Sequence, residues 1–388
     1  MRYLIELLDD DPMENIVGTC AFVPEVVVFL CDRRDRTFFK ESAIYRLLRQ
    51  RKLKTTPRFY YFDTDSTAQI RRVLAAVVRD YPGCVFDFTG GKDLLLVEAG
   101  AFCVPRDIPC YYINLRQRRF LNIHACEKLE QGFQLPVLTA ENLFTAYGAA
   151  VLGSGHYGPG ELDADFEKCI VPIWEMVSEN PRAWDDFVGW LQKVCHGTPL
   201  SRLEVRLPDG SWRQQSRQAL LHRLAGVGVL QFSAEGKEAL LCFSSTLYKK
   251  TLLNQGIWLE LFGYLAARES KLFTDVHTSV VIDWDGAESH AGSTKNEVDI
   301  FVMKDIVPLF ISCKMGLPSA LGLSEIKLLA VKFGGKLSRA VLLTAATLGS
   351  EHRALRGRAA DLGITLVDMT DIRSGKLARI LESAALSS

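Results

Sequence analysis

The sequence predicts an α/β protein in three parts: a Rossmann-like domain over residues 1–137, a linker with a winged-helix-like segment over 138–255, and an α/β/α layered domain over 256–388. Three observations carry this. The first third alternates short apolar runs such as EVVVFL (25–30) with amphipathic stretches, the pattern of parallel strands covered on both faces by crossover helices. Further on, a helical stretch at 216–225 is followed by Gly226, Gly228 and a hairpin signal at Glu235-Gly236, which resembles a winged helix. Finally, NEVDIFVMKDIVPLFISCKMG (296–316) joins two β-branched, aromatic-rich runs through a polar turn, the signature of a buried hairpin.

Composition narrows the class. A chain of 388 residues with 48% hydrophobic and 24% charged residues has ample material for two or three packed domains. Lys plus Arg and Asp plus Glu both total 46, so the formal net charge is zero and no global field draws the protein to nucleic acid. Such contact has to be local. Basic residues concentrate at 33–54 and again at 327–358. Ten cysteines lie scattered, without a CxxC pair or a histidine at zinc-finger spacing, as in a reduced cytoplasmic protein. The start, MRYLIELLDDDP, has too short an apolar run for a signal peptide, and no run reaches membrane-spanning length. The expected location is the cytoplasm, with no membrane.

Taken in order, strands are expected at 3–8, 25–30, 58–62, 84–88 and 110–114, with helices at 13–21, 38–50, 67–79 and from Lys92. FDFTGGKDLLL (86–96) runs from strand through Thr89-Gly90-Gly91 into a helix. Glycines let the backbone approach a ligand, and free N–H groups at a helix start suit phosphate or ribose oxygens. A bare Gly-Gly turn also occurs where nothing binds. The dinucleotide fingerprint GxGxxG is absent from this stretch, which argues against a nicotinamide dehydrogenase. From 138 the chain carries a Gly-rich stretch (153–161), two helical stretches and the winged-helix-like segment, whose mixed helix and largely apolar wing read as a spacer; His156, His196 and His222 read as structural. The last part opens with a helix at 256–261, then a strand at 279–285, the hairpin, a helix at 324–333, a strand at 340–344 and a helix-strand pair at 351–368.

Charge in the hairpin is what marks it. Glu297 and Asp299 stand two apart on one strand, Ser312 and Lys314 two apart on the next, and a side-chain period of two puts each pair on one face. Buried ions cost several kcal/mol unless they meet a metal or a substrate. Carboxylates from a strand and a helix beside a lysine suit Mg²⁺ or Mn²⁺. The reaction such a site favours is phosphodiester hydrolysis, the cation activating water and Lys314 steadying developing charge. Cys313 points to the apolar face and is no nucleophile.

Asp299 followed by Ser312-Cys313-Lys314, with Glu260 on a preceding helix, resembles the PD-(D/E)xK nuclease core. GIWLE, NEVDIF and ISCKMG behind FTGGK, with MENIVGTCAFVPEVVVFL near the start, resemble the CARF-domain nucleases of the Card/Can group, ancillary effectors of type III CRISPR defence. The likeness spans nearly the whole chain. It implies a CARF sensor, a restriction-endonuclease-like C-terminal domain and a homodimer activated by a cyclic oligoadenylate, above all cyclic tetraadenylate. It further implies Mn²⁺- or Mg²⁺-dependent cutting or nicking of DNA or RNA. By the same resemblance Glu260, Asp299, Ser312, Lys314 and Glu297 are catalytic, with Asp299, Glu260 and Glu297 as metal ligands; Thr89, Gly90, Gly91, Lys92 and Asn15 bind the activator. Two departures stand out: Ser312 replaces an acidic residue, which Glu297 or Glu325 would have to supply, and Lys92-Asp93 follows Gly-Gly where relatives carry Thr-Lys. The alternatives are a cyclic-nucleotide sensor weakened in catalysis, and a repair or restriction-type nuclease without second-messenger control.

Overall fold

A computed structural model of the chain describes residues 1–35, 38–155, 162–207, 210–236, 238–286 and 294–387. His156 and most of the Gly-rich stretch therefore lie outside the described residues. The first sheet comprises β1 (Tyr3–Leu7), β2 (Val26–Asp32), β3 (Thr56–Phe62), β4 (Val85–Asp87), β5 (Cys110–Asn114) and β6 (Arg119–His124), in the order β3-β2-β1-β4-β5-β6. The pairings from β3 through β5 are parallel, and β6 is an antiparallel edge. This is the doubly wound order, with its switch point between β1 and β4. Alternate strand residues feed two layers: Leu4, Val27 and Phe29 pack on one face, Ile5, Val28 and Leu30 on the other. Each such side chain contributes about 1.5–3 kcal/mol by leaving water. Helix Pro12–Phe22 starts where Asp11 caps Met13 N and proline fixes the first turn; Val23, at φ 45°, ends it.

The α/β architecture in three parts is as expected. One segment sits differently. β7 (Ala150–Ser154), read from sequence as part of the linker, pairs antiparallel with a strand of the last sheet. Its AVLGS sequence is too short and glycine-bearing to show a strand period. Helix Ala140–Ala146 joins it there, Phe144 packing on Phe301, Phe310 and Phe333. Helix Ala164–Glu179 likewise lies on helix Ile257–Glu269 through Trp174–Phe262 and Phe166–Trp258 stacking. Residues 138–155 and 162–179 thus form an outer layer of the C-terminal domain.

The winged-helix-like segment contains β8 (Glu204–Leu207), β9 (Leu230–Glu235) and β10 (Glu238–Phe243), antiparallel in the order β8-β10-β9, with helix Gln215–Val227 against them. Lys249 pins it from inside. Fully buried, its ammonium donates to Thr198 Oγ1, Pro199 O and Arg202 O, so the three donors that burial would orphan are satisfied.

The last sheet holds β11 (Asp275–Asp283), β12 (Lys295–Lys304), β13 (Val307–Lys314), β14 (Arg339–Thr344) and β15 (Ile364–Val367), in the order β15-β14-β13-β12-β11-β7. Helix Ala320–Gly334 covers β13 and β14, and helices Met369–Arg373 and Leu377–Leu386, not foreseen from the sequence, close the chain. No helix among the described residues is long and apolar enough to cross a membrane. All ten cysteines are free thiols, and all but Cys242 are buried.

Candidate active site and ligand turn

The site arises where two paired strands part. β12 and β13 are in register from Lys304–Val307 to Ile300–Ile311, whereas β13 stays paired with β14 as far as Lys314–Thr344. Cys313 N–H is thereby released from the β12 ladder. It donates instead to Asp299 Oδ2 at 2.6 Å, and the Ser312 hydroxyl donates to the same oxygen at 3.2 Å. A half-buried carboxylate is steadied by such donors. Ser312 consequently orients Asp299, where an acid would repel it. On the other side, Ser279 of β11 takes the left-handed region at φ 54°, its carbonyl accepting from Gly155 N at 2.7 Å, while the Thr278 hydroxyl donates to Asp299 O at 3.1 Å. Such a backbone costs of order 1–3 kcal/mol and tends to collect at functional sites.

Glu297 and Lys314 lie at the open end, both exposed. Glu297 meets the end of β7: a Cβ placed on Gly155 would stand 2.9 Å from Glu297 Oε1. Sequence reasoning passed over Gly155, whose only signal was the glycine-rich run. Glu260 reaches in, half-buried, from helix Ile257–Glu269. Burial above all, then the charges of Asp299 and Glu297, push its carboxyl up to about 8, while Lys314 pulls the other way. Cys313 is buried, and burial lifts its thiol well above the ordinary range, consistent with its place on the apolar face. A cleft of about 470 Å³ opens here, lined by Glu297, Asp299, Ser312, Lys314, Glu325 and Trp284 among others. Among the described residues no three His, Cys, Asp or Glu side chains converge as a ready-made metal site.

The Glu260 shift has a stability consequence. A carboxyl raised in the folded state from 4.5 to about 8 contributes its full stability below the unfolded value and loses it as pH rises through about 8. Glu260→Gln, which stays neutral, is therefore expected to melt higher than the parent chain near pH 9 and at about the same temperature near pH 5. Parallel melting profiles across that range would contradict the assigned environment.

At the other end of the chain, the Gly90-Gly91 turn follows β4 and faces the loop after β1, the switch-point crevice where α/β sheets take ligands. Gly91 sits at φ 124°, and a Cβ there would press to 2.7 Å from Leu7 Cβ; only glycine fits. Thr89 and Asn15 are occupied within the protein. The Thr89 hydroxyl accepts from Ile113 N at 2.9 Å, and Asn15 accepts from Asp9 N and donates to Asp9 O. Lys92 instead reaches an exposed carboxylate, Asp10, at 2.9 Å.

Beneath the turn lies a group that sequence reading did not single out. Glu6 and Asp87 are partners on adjacent strands, both fully buried, with Tyr111 beside them. Thr19 donates to Glu6 Oε1 at 2.9 Å, and Thr89 N donates to Asp87 Oδ1 at 2.8 Å. Burial raises both acids, and Asp87 raises Glu6 further, so the pair retains a proton where two isolated carboxyls would be ionised. Much of the basic run at 33–54 is consumed by fastening: Arg33 to Asp63, Arg34 to Asp32 and Asp65, Arg46 to Gly148 O, Arg51 to Val137 O. In the second run Lys336 pairs with Glu14 and Arg356 with Asp368.

Fold and site together define a Rossmann-like domain joined through a small winged-helix-like unit to an α/β/α domain with a carboxylate–lysine cleft. No protein-family model and no curated protein matches the chain. Among solved structures, the crystal structure of protein VC1899 from Vibrio cholerae superposes with a TM-score of 0.80 at 16% identity, over 100% of this chain and 99% of that one. Can2 from Sulfobacillus thermosulfidooxidans, solved in complex with cyclic tetra-adenylate, superposes with a TM-score of 0.72 at 15% identity, over 100% of both chains. This chain shares their whole fold.

Proposed function

We propose that the chain is a divalent-metal-dependent nuclease of type III CRISPR antiviral defence, acting in the cytoplasm as a homodimer switched on by a cyclic oligoadenylate, with cyclic tetraadenylate as the activator. The observation that carries this is the cleft holding Asp299 and Lys314 where β12 and β13 part, with Glu260 close enough for both charges to act on its carboxyl. The domain limits follow the sequence reading, 1–137 sensing and 256–388 cutting, with residues 138–155 and 162–179 packed on the cutting domain. The fold shared with a protein solved with cyclic tetra-adenylate supports the activator, and the Gly90-Gly91 turn at the switch point is its place. Free thiols throughout support a reducing compartment.

The donor set fits a hard cation in kind. Glu260 is kept from ionising by burial and by neighbouring negative charge, and a cation is what offsets that repulsion. Asp299 and Glu260, with Glu297, would hold it. Bound there, Mn²⁺ or Mg²⁺ supplies positive charge for the scissile phosphate and for activating water. The chain's own groups do the rest. Cys313 N and Ser312 fix the Asp299 carboxylate, and Lys314 at the mouth steadies charge on the phosphate oxygens. Binding requires Glu260 to lose its proton, so apparent Mn²⁺ affinity is expected to rise with pH up to about 8.

Ser312 favours a second reading, a cyclic-nucleotide sensor weakened in catalysis. Isothermal titration with Mn²⁺ separates the two. Uptake at millimolar concentration that is lost in Asp299→Ala supports the nuclease; no uptake by the parent chain, with cyclic tetraadenylate present, supports the sensor.

A further inference from the structure

Of three consecutive aspartates after β1, the first two occupy groups that an incoming anion would use. Asp9 Oδ2 accepts from Gly91 N at 3.1 Å. Asp10 lies between two lysines from different helices: Lys92 Nζ at 2.9 Å from Oδ2, and Lys40 Nζ, on helix Phe38–Gln50, at 3.3 Å from Oδ1. Asp11 faces the other domain. Its Oδ1 accepts from the Tyr147 hydroxyl at 2.7 Å and its Oδ2 from Lys336 N at 3.2 Å. That joint is tight, since a Cβ on Gly335 would come within 2.2 Å of Asp11 Oδ2 and 2.6 Å of the Tyr147 hydroxyl. Lys336 also reaches Glu14 at 2.9 Å.

We propose that Lys40, Lys92 and Gly91 N form a phosphodiester-binding site in which the Asp9–Asp10 carboxylates are built-in occupants, displaced when an anionic ligand enters. Movement of the same loop then reaches the cleft domain through Asp11. This rests on the ligand-sensing reading above and adds Lys40 to it. Two lysine ammonium groups and a backbone N–H are the donors that phosphate oxygens take. The present occupant is easily removed, because Asp10 is 72% exposed and its lysines 33%, and ion pairs in contact with water are weak. The three aspartates are covalently consecutive, so a backbone shift of the Asp9–Asp10 segment on ligand entry is carried to Asp11.

The test measures binding of cyclic tetraadenylate by titration calorimetry, and of inorganic pyrophosphate by its effect on melting, in the parent chain, Asp10→Asn and Lys40→Ala. Asp10→Asn removes the competitor and is expected to bind both probes about threefold to tenfold more tightly; Lys40→Ala is expected to bind them about tenfold more weakly. Unchanged or weaker binding of both probes by Asp10→Asn overturns the proposal. A gain for pyrophosphate, with cyclic tetraadenylate bound by neither protein, supports the anion site and removes cyclic tetraadenylate as the activator. Amide exchange at Lys336 reads the transmission: it is expected to change when a probe binds the parent chain. An unchanged rate at saturation overturns that half.

Discussion

Asp299→Ala is expected to lower nucleic-acid cleavage by at least about a thousandfold while leaving cyclic tetraadenylate binding within about twofold of the parent chain. The first half follows from position. Asp299 is the acid held by two donors at the parting of β12 and β13, and its charge weighs on Glu260. The second half follows from separation, since the Gly90-Gly91 turn, the proposed ligand site, follows a strand of another sheet. Asp299→Asn refines the test, because the amide oxygen still accepts from Cys313 N and Ser312 but carries no charge. It should be as inactive as the alanine variant. By relieving Glu260, it should also melt higher than the parent near pH 8. Cleavage retained in either variant would mean that the site has been misassigned, and lost activity with lost ligand binding would point to general misfolding.

Gly18→Ala is expected to destabilise the N-terminal domain by about 1–2 kcal/mol net. Helix propensity alone gives the opposite sign, since alanine inside a helix is worth about 1 kcal/mol over glycine, and Gly18 lies within helix Pro12–Phe22. Packing decides the matter. The added Cβ would fall 2.0 Å from Asp87 Oδ2, 2.8 Å from the Tyr111 hydroxyl and 3.1 Å from Glu6 Oε1. None of these can swing away cheaply, because all three residues are buried and Asp87 is tied to Thr89 N. Overpacking of this kind commonly costs about 1–3 kcal/mol and sometimes more. Urea unfolding of the full chain, followed through the N-terminal transition, measures it. Equal or greater stability of the variant would show that the acid pair has room to move. Because Asp87 holds the backbone just before Gly90-Gly91, the same variant should bind ligand more weakly.

How far the sequence reveals all this depends on contrast. Asp299 and Lys314 stood out because a charged residue in an apolar, period-two background has no structural excuse. Glu6 and Asp87 present the same anomaly, in YLIEL and VFD, yet on strands short enough to read as ordinary amphipathic edges. Their partnership is a matter of register, which no local pattern encodes. Glu260 was placed only by resemblance; nothing in IWLEL says that its carboxyl turns toward a strand some forty residues on. β7 carried no period to detect, and with it the approach of Gly155 to Glu297 was invisible. The basic run at 33–54 misleads in the other direction, since charge counted along a chain does not show which guanidinium groups are already paired across it. The Rossmann-like parallel sheet was legible because apolar strands alternating with helices leave few other topologies.

The most direct measurement is a cleavage assay on labelled RNA, single-stranded DNA and supercoiled DNA with Mn²⁺, run with and without cyclic tetraadenylate. A ligand-switched nuclease cuts or nicks at least one of these strongly with the ligand and little without it. Equal cutting in both conditions, or none in either, would contradict it.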